Sequence, residues 1–174
     1  MQDFPSMPRP QNDWGCHRGN QFIFEQRTYN RDEQQEHVDG GLPTLNPQQL
    51  AFYDAVMNSV LNSLRSSFIL HSGGGCEKTY LAKLISAGVF AGDKIVLGVA
   101  STGLAAFLLL SSWTTHLHFK IPIPCHEQRT CSIKKNDTTH QLLKKTSPII
   151  WDEMRLPLSI ILLWRLWTTP FMTY

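Results

Sequence analysis

The chain has 174 residues, 42% of them hydrophobic, and a formal net charge of +2. This length suits one domain with a real core, and so small a net charge says little about partners. The four cysteines are scattered and no signal peptide is predicted, which favours a reduced, intracellular protein over a disulfide framework. The apolar runs at 104–110 and 156–166 are too short or too interrupted to span a bilayer, so we expect no membrane segment.

Residues 1–42 form a polar lead-in that we expect to be largely irregular, with one short helix near Arg31–His37. They are rich in Gln, Asn, Pro and Gly and carry a net charge of −3, against +5 for residues 43–174. A longer helix is predicted after them. Asn46 can cap it, Pro47 suits its first position, and apolar residues recur at helical spacing as far as Leu64.

A short apolar strand, a glycine-rich turn and a second helix are predicted over residues 68–90. The turn reads Ser72-Gly-Gly-Gly-Cys-Glu-Lys-Thr79. In such a layout backbone N–H groups surround a triphosphate, the lysine reaches the outer phosphates and the hydroxyl ligates Mg²⁺. The usual pattern, G-x-x-x-x-G-K-[ST], is broken at Ser72 and at Glu77. We expect the Glu77 carboxylate to repel phosphate and its Cβ to restrict the loop. The alternative is an ordinary strand-to-helix turn.

Two further strands are predicted in the second half of the chain. Lys94–Ala100 is apolar and β-branched enough to be a buried parallel strand, and Pro148–Asp152 is the third strand. A short helix is predicted at Gly103–Leu110 between them. Strands that alternate with helices predict an α/β domain with a parallel sheet.

An acidic pair, Asp152 and Glu153, ends the third predicted strand. Because the carboxyl ends of parallel strands share one edge of a sheet, we expect this pair on the same edge as Thr79. There an acidic residue can hold Mg²⁺ and a glutamate can orient or deprotonate a water. The alternative is a pair that only solvates the end of the strand.

The segment 120–145 is basic, with a net charge of +4. It is either a solvated loop or a contact for a nucleic-acid backbone, and the salt dependence of binding would distinguish the two. The cysteines and histidines nearby are a weak candidate zinc set, because C-x₅-C is not a standard spacing and no second Cys pair follows. These residues are His116, His118, Cys125, His126 and Cys131.

Five segments follow the order of motifs in a known family. They are Leu45–Gln49, Ser72–Thr79, Val99–Ala106, Trp113–His116 with Phe119–Pro122, and Ile149–Glu153. With the upstream stretch Asn20–Asn30, they resemble the amino-terminal part of a Pif1-like ATP-dependent DNA helicase, in particular the eukaryotic, Helitron-transposon-associated branch. The resemblance covers about residues 5–155.

This resemblance implies an incomplete RecA-like P-loop ATPase lobe over residues 43–157, between the lead-in and a tail, 158–174, that is unlike the family. It implies ATP and Mg²⁺ as cofactors, with Gln49 at the adenine edge and Thr79 and Asp152 as metal partners. The catalytic residues would be Lys78, Asp152 and Glu153. The nucleotide would be held by Gln49, Gly73, Gly74, Gly75, Cys76, Glu77, Lys78 and Thr79. Nucleic acid would be contacted by Ser101, Thr102, Gly103, Thr115, His116 and Phe119.

The family's activity is 5′-to-3′ unwinding of single-stranded or forked DNA, linked to DNA repair, recombination and telomere maintenance. A nuclear location is implied, with a mitochondrial one as the second choice. Unwinding needs a second lobe that supplies an arginine, and we expect it to be missing here, so the chain alone should be weak or inactive unless a second lobe acts in trans. The alternatives are a non-catalytic nucleic-acid-binding module, a decayed transposon product and a different P-loop ATPase.

Overall fold

The computed structural model describes residues 20–64, 66–73, 75–110, 112–122, 131–135, 137–153 and 159–164. The helices are α1 (Gln21–Arg27), α2 (Arg31–Gly41), α3 (Pro47–Leu61), α4 (Lys78–Ala91), α5 (Gly103–Leu108), α6 (Thr115–His118) and α7 (Thr138–Lys145), with a 3₁₀ turn at Leu42–Thr44. The strands are β1 (Ser67–His71), β2 (Ile95–Ala100), β3 (Ser112–Thr114), β4 (Thr146–Glu153) and β5 (Ser159–Trp164). Within these ranges no helix combines the length and the apolar character needed to cross a bilayer.

The strands form one sheet in the order β1-β5-β4-β2-β3. Strands β4, β2 and β3 are parallel, which confirms the predicted α/β fold with a parallel sheet. Strand β5 runs antiparallel to both of its neighbours, β4 and β1. The strand before the glycine-rich loop is therefore joined to the three parallel strands through an antiparallel strand, and the sheet as a whole is mixed.

Helices cover both faces of the sheet. All six residues of β2 are buried, and its first three residues alternate between two apolar clusters. Val96 packs with α2, α3 and α4, whereas Leu97 and Val99 pack with α1 and α7. Ile150 and Ile149 of β4 divide between the same two clusters. Because neighbouring residues of a strand point to opposite faces, this alternation gives three layers, helix, sheet and helix.

The predicted helix after the lead-in is confirmed as α3. The Asn46 side chain accepts a hydrogen bond from the Gln49 N–H at 2.9 Å, and Gln49 Oε1 accepts one from the Asn46 N–H at 3.0 Å. This is a capping box, which satisfies backbone donors that the first turn of a helix leaves open. Pro47 occupies the first helical position, where its missing N–H costs nothing.

The short helix expected near residues 31–37 is also confirmed, as the longer α2. Val38 of this helix is buried in the cluster that contains α4. Just before it, Tyr29 stacks on Phe90 of α4 with ring centres 4.4 Å apart, and Arg31 pairs with Asp93 at 2.5 Å. The described part of the lead-in is thus packed on the domain, and residues 1–19 lie outside the described residues.

Candidate functional site

The carboxyl ends of β1, β4, β2 and β3 lie at one edge of the sheet. Across the five strands, Leu70 pairs with Ile160, which pairs with Asp152, which pairs with Ala100, which pairs with Thr114. The loop after β1 therefore starts two strand spacings, about 10 Å, from the end of β4. The structure brings the glycine-rich loop, Asp152 and the residues that follow β2 and β3 to this carboxyl edge.

Lys78 folds back over the glycine-rich loop. Its ammonium donates to the backbone oxygens of Ser72 at 3.0 Å and of Gly73 at 2.6 Å, and to the Ser72 hydroxyl at 3.3 Å. The side chain is only 8% exposed. Hydrogen bonds from an ammonium are of the kind that a phosphate oxygen would accept. The loop's own carbonyl groups thus occupy the lysine, and an incoming phosphate must replace them.

The backbone at Glu77 is left-handed, with φ 53° and ψ 30°. Glycine suits this region because it has no Cβ, and Gly75 of the same loop also has a positive φ, 76°. The prediction that Glu77 stands where glycine is preferred is therefore confirmed by its φ. Glu77 and Cys76 are both exposed, whereas Gly74 lies outside the described residues.

Helix α4 begins at Lys78, directly after this loop. A helix of 14 residues has a partial positive charge and free N–H groups at its first turn, which favour an anion there. Thr79 is in that first turn and is half-buried. The hydroxyl of Thr79 and the carboxylate of Asp152, half-buried at the same edge, are oxygen ligands of the type Mg²⁺ prefers, so these residues fit the ion. The side chain of Glu153 lies outside the described part.

Gln49, predicted at the adenine edge, is used by the capping box of α3, and its adenine contact stays a prediction. A hydrogen bond of 3.1 Å between Tyr80 Oη and Thr44 Oγ1 ties the first turn of α4 to the segment just before that capping box. The predicted adenine residue and the glycine-rich loop are thus linked through the packing of α4.

Three of the predicted nucleic-acid residues follow β2 at the carboxyl edge. The Ser101 hydroxyl donates to the backbone oxygen of Asp152 at 3.5 Å. The Thr102 side chain accepts from the Ala105 N–H at 3.3 Å and caps α5, and the exposed Gly103 starts that helix. Local capping thus explains Thr102, and the long hydrogen bond from Ser101 places this turn beside the predicted metal residue.

The other three predicted nucleic-acid residues divide between core and surface. The Thr115 hydroxyl is buried and donates to the Ala100 oxygen at 2.9 Å. Phe119 is only 8% exposed and stacks on Trp151 with ring centres 6.0 Å apart. His116 is exposed. In this conformation Thr115 and Phe119 support the fold, and His116 presents its side chain at the surface.

Among the residues that the structure describes, no three His, Cys, Asp or Glu side chains cluster as a metal site. Cys125 and His126 of the weak zinc set lie outside the described residues.

One pocket near this edge was missed by sequence reasoning. It lies between α1, β3, α6 and the start of α7, and Phe22 and Trp113 meet there edge to face with ring centres 6.0 Å apart. These two residues are 91 positions apart, so no local pattern could have indicated the pocket.

A search of curated proteins gives no match. A family model described as PIF1-like helicase matches residues 44–160, about two thirds of the chain, and this range holds the glycine-rich loop, the turn after β2 and the acidic end of β4. The chain therefore belongs to the PIF1-like helicase family.

Proposed function

We propose that this chain is the nucleotide-binding lobe of an ATP-dependent, 5′-to-3′ DNA helicase acting on single-stranded or forked DNA. One observation carries the proposal. The Lys78–Thr79 loop, Asp152 and the turn at Ser101–Gly103 share the carboxyl edge of the sheet. In open α/β sheets this is the edge where ligands bind.

For the nucleotide, Lys78 and the N-terminus of α4 would hold the phosphates of ATP. Thr79 and Asp152 would hold Mg²⁺, which when bound neutralises charge on the phosphates. Glu153 would orient the attacking water. Lys78 must exchange its bonds to the Ser72 and Gly73 oxygens for bonds to phosphate, and this exchange lowers the net gain on binding.

For the nucleic acid, backbone N–H groups and hydroxyls at Ser101, Thr102 and Gly103 would contact phosphates of a single strand, with His116 beside them. Because Ser101 donates to the backbone of Asp152, a strand at this turn and a metal at Asp152 would lie within one connected group of residues. Through this hydrogen bond, binding of the strand would alter the nucleotide site.

The activity of the chain would be limited by Glu77, the residue directly before Lys78 in the loop. The described residues form one lobe, and unwinding requires two lobes that open and close around ATP. We therefore expect weak ATP hydrolysis from this lobe, and unwinding only when a second lobe is provided.

The competing proposal is a non-catalytic nucleic-acid-binding module, or a decayed transposon product, that uses the basic segment 120–145. The arrangement of three of the described lysines favours the first proposal. Lys120 is paired with Asp137. Lys144 and Lys145 directly precede Thr146, which pairs with Ile95 at the opposite edge of the sheet. These lysines therefore do not form one basic surface at the carboxyl edge.

The cellular role follows from the proposed activity. We propose a contribution to DNA repair, recombination or telomere maintenance in the nucleus, with an origin in the transposon-associated branch of the family. Localisation of a tagged full chain in cells is the direct measurement of the first part of this proposal.

The biochemical test is a titration of the purified chain with Mg²⁺-ATP, beside Lys78→Ala and a matched control, Lys83→Ala, on the same helix. We expect binding by the wild type and by Lys83→Ala, and its loss in Lys78→Ala. Equal binding by all three folded proteins would exclude the loop as the nucleotide site. Strand binding that needs no nucleotide and disappears with salt would favour the competing module.

A further inference from the structure

A pocket of about 380 Å³ opens between α1, β3, α6 and the start of α7. Its size lies in the range of roughly 300–1,000 Å³ that is usual for small-molecule sites. The residues that form its walls and rim include Phe22, Trp113, Leu117, His118, Lys120 and Thr138. Asn20 holds α1 in place here, because its side-chain amide donates to the Thr138 oxygen at 2.5 Å.

The described walls of this pocket carry no uncompensated charge. Burial lowers the pKa of His118 from 6.5 to about 4, so its imidazole is neutral at pH 7. The Lys120 ammonium is paired with the Asp137 carboxylate. A phosphate or carboxylate would therefore find no free cation among these residues, and an uncharged ligand fits better.

One polar group of the wall lacks a partner. His118 is only 6% exposed, and its Nε2 atom is buried without a hydrogen-bond partner among the described residues. Such a buried, unsatisfied group is uncommon in proteins and invites explanation. Because solvent does not reach this atom, a ligand in the pocket can bond it only if the imidazole turns towards the pocket.

We propose that this pocket binds a nucleobase. A base is planar, uncharged and apolar on its faces, which suits the Phe22 and Trp113 rings. Trp113 precedes Thr114, which is paired with Ala100 at the carboxyl edge. The pocket thus borders the proposed strand-binding turn. The proposal rests on the proposed function for the source of the base, and a free nucleoside is the second source.

The first experiment measures binding of a labelled oligothymidylate and of the same strand with abasic sites, to the full chain. We expect the wild type to prefer the strand with bases by roughly tenfold, as stacking on aromatic residues usually gives. Phe22→Ala should abolish this preference. The control is Phe24→Ala, an aromatic residue of the same helix that is 51% exposed and does not line the pocket. A preference that survives in folded Phe22→Ala would overturn the proposal.

A second pair of variants covers the case in which Phe22→Ala does not fold. Leu117 is 62% exposed at the rim, so Leu117→Trp should fill the pocket without disturbing the core, whereas Leu61→Trp adds the same side chain at the end of α3. Only Leu117→Trp should lose the preference for bases. If neither variant loses the preference for bases, the pocket is not the base-binding site.

A titration with thymidine separates this proposal from the proposed function. If the wild type binds neither strand, the strand-binding part of the proposed function fails, and thymidine then decides the pocket by itself. Thymidine binding that Leu117→Trp removes supports the nucleobase site. Absence of thymidine binding, together with absence of any preference between the strands, refutes it.

Discussion

Replacement of Glu77 separates the two effects by which this residue weakens the glycine-rich loop. Glu77→Ala removes the carboxylate but keeps a Cβ at φ 53°, whereas Glu77→Gly removes both. A difference in ATP affinity between wild type and Glu77→Ala reports the effect of the charge. A difference in unfolding free energy between the two variants reports the effect of the backbone conformation.

The two effects have different sizes. A carboxylate and a phosphate charge about 4 Å apart repel by about 4 kcal/mol at an effective dielectric near 20, but by only about 1 kcal/mol in bulk water. Because Glu77 is exposed, the lower value applies, and Glu77→Ala should bind Mg²⁺-ATP about fivefold more tightly. A left-handed backbone costs a residue with a Cβ about 1–2 kcal/mol of stability. Glycine avoids this cost, but part of the gain is offset because glycine gives the unfolded chain more conformational freedom. Glu77→Gly should therefore be about 1 kcal/mol more stable than Glu77→Ala.

Two measurements check these values. Calorimetric titration with Mg²⁺-ATP gives the affinities, and urea denaturation followed by circular dichroism gives the free energies of unfolding. Asp54→Ala, which removes an exposed carboxylate from α3, is the control for a general change of charge. Equal ATP affinity in wild type and Glu77→Ala would refute the charge argument. Equal unfolding free energies for Glu77→Ala and Glu77→Gly would refute the backbone argument.

Three further predictions concern stability, each followed by urea denaturation. Burial lowers the pKa of His118 from 6.5 to about 4, so the folded protein binds this proton less readily than the unfolded chain does. The free energy of unfolding should therefore be highest above pH 6.5 and should fall as the pH drops towards 4. Over that window the wild type should lose about 3 kcal/mol relative to His118→Phe. A flat difference between the two would contradict this. Gly98→Ala should destabilise the fold by about 1–3 kcal/mol, because the new Cβ would lie 2.8 Å from Ser112 Cβ. Gly40→Ala, where a Cβ meets open space, should be neutral or stabilising. The reverse order of stability would show the packing argument to be wrong. Arg31→Ala should cost at most about 1 kcal/mol, because its pair with Asp93 is exposed, and a larger loss would reveal a further role for this arginine.

Local signals in the sequence were sufficient for much of the fold. Asn46 and Pro47 mark the start of α3 because caps act within one turn, and the apolar run of β2 is continuous because both of its faces are buried. The left-handed backbone at Glu77 was predictable for the same reason, since glycine preference is a property of one position in the loop.

Features that depend on long-range contacts could not be predicted from local sequence patterns. Strand β3 has three residues, too few for any periodicity, and exists because it pairs with β2. Thr115 and Phe119 gave no sign of being buried, because a hydroxyl that donates to the Ala100 oxygen and a ring that stacks on Trp151 depend on distant partners. The placement of β5 between β1 and β4 is likewise set by pairing.

The position of β5 has a consequence for how the chain folds during synthesis. Ser67 of β1 pairs with Leu163 of β5, 96 positions later, so this strand cannot complete its ladder until residue 163 has left the ribosome. Contacts so distant in sequence slow folding, since a long loop must close before they form. Until then neither edge of β1 is paired, and Ile69, which is exposed even in the complete fold, lies on this unpaired strand. The strand that carries the glycine-rich loop is thus the last to be secured, and nascent chains that wait at this stage are the ones that chaperones would have to protect.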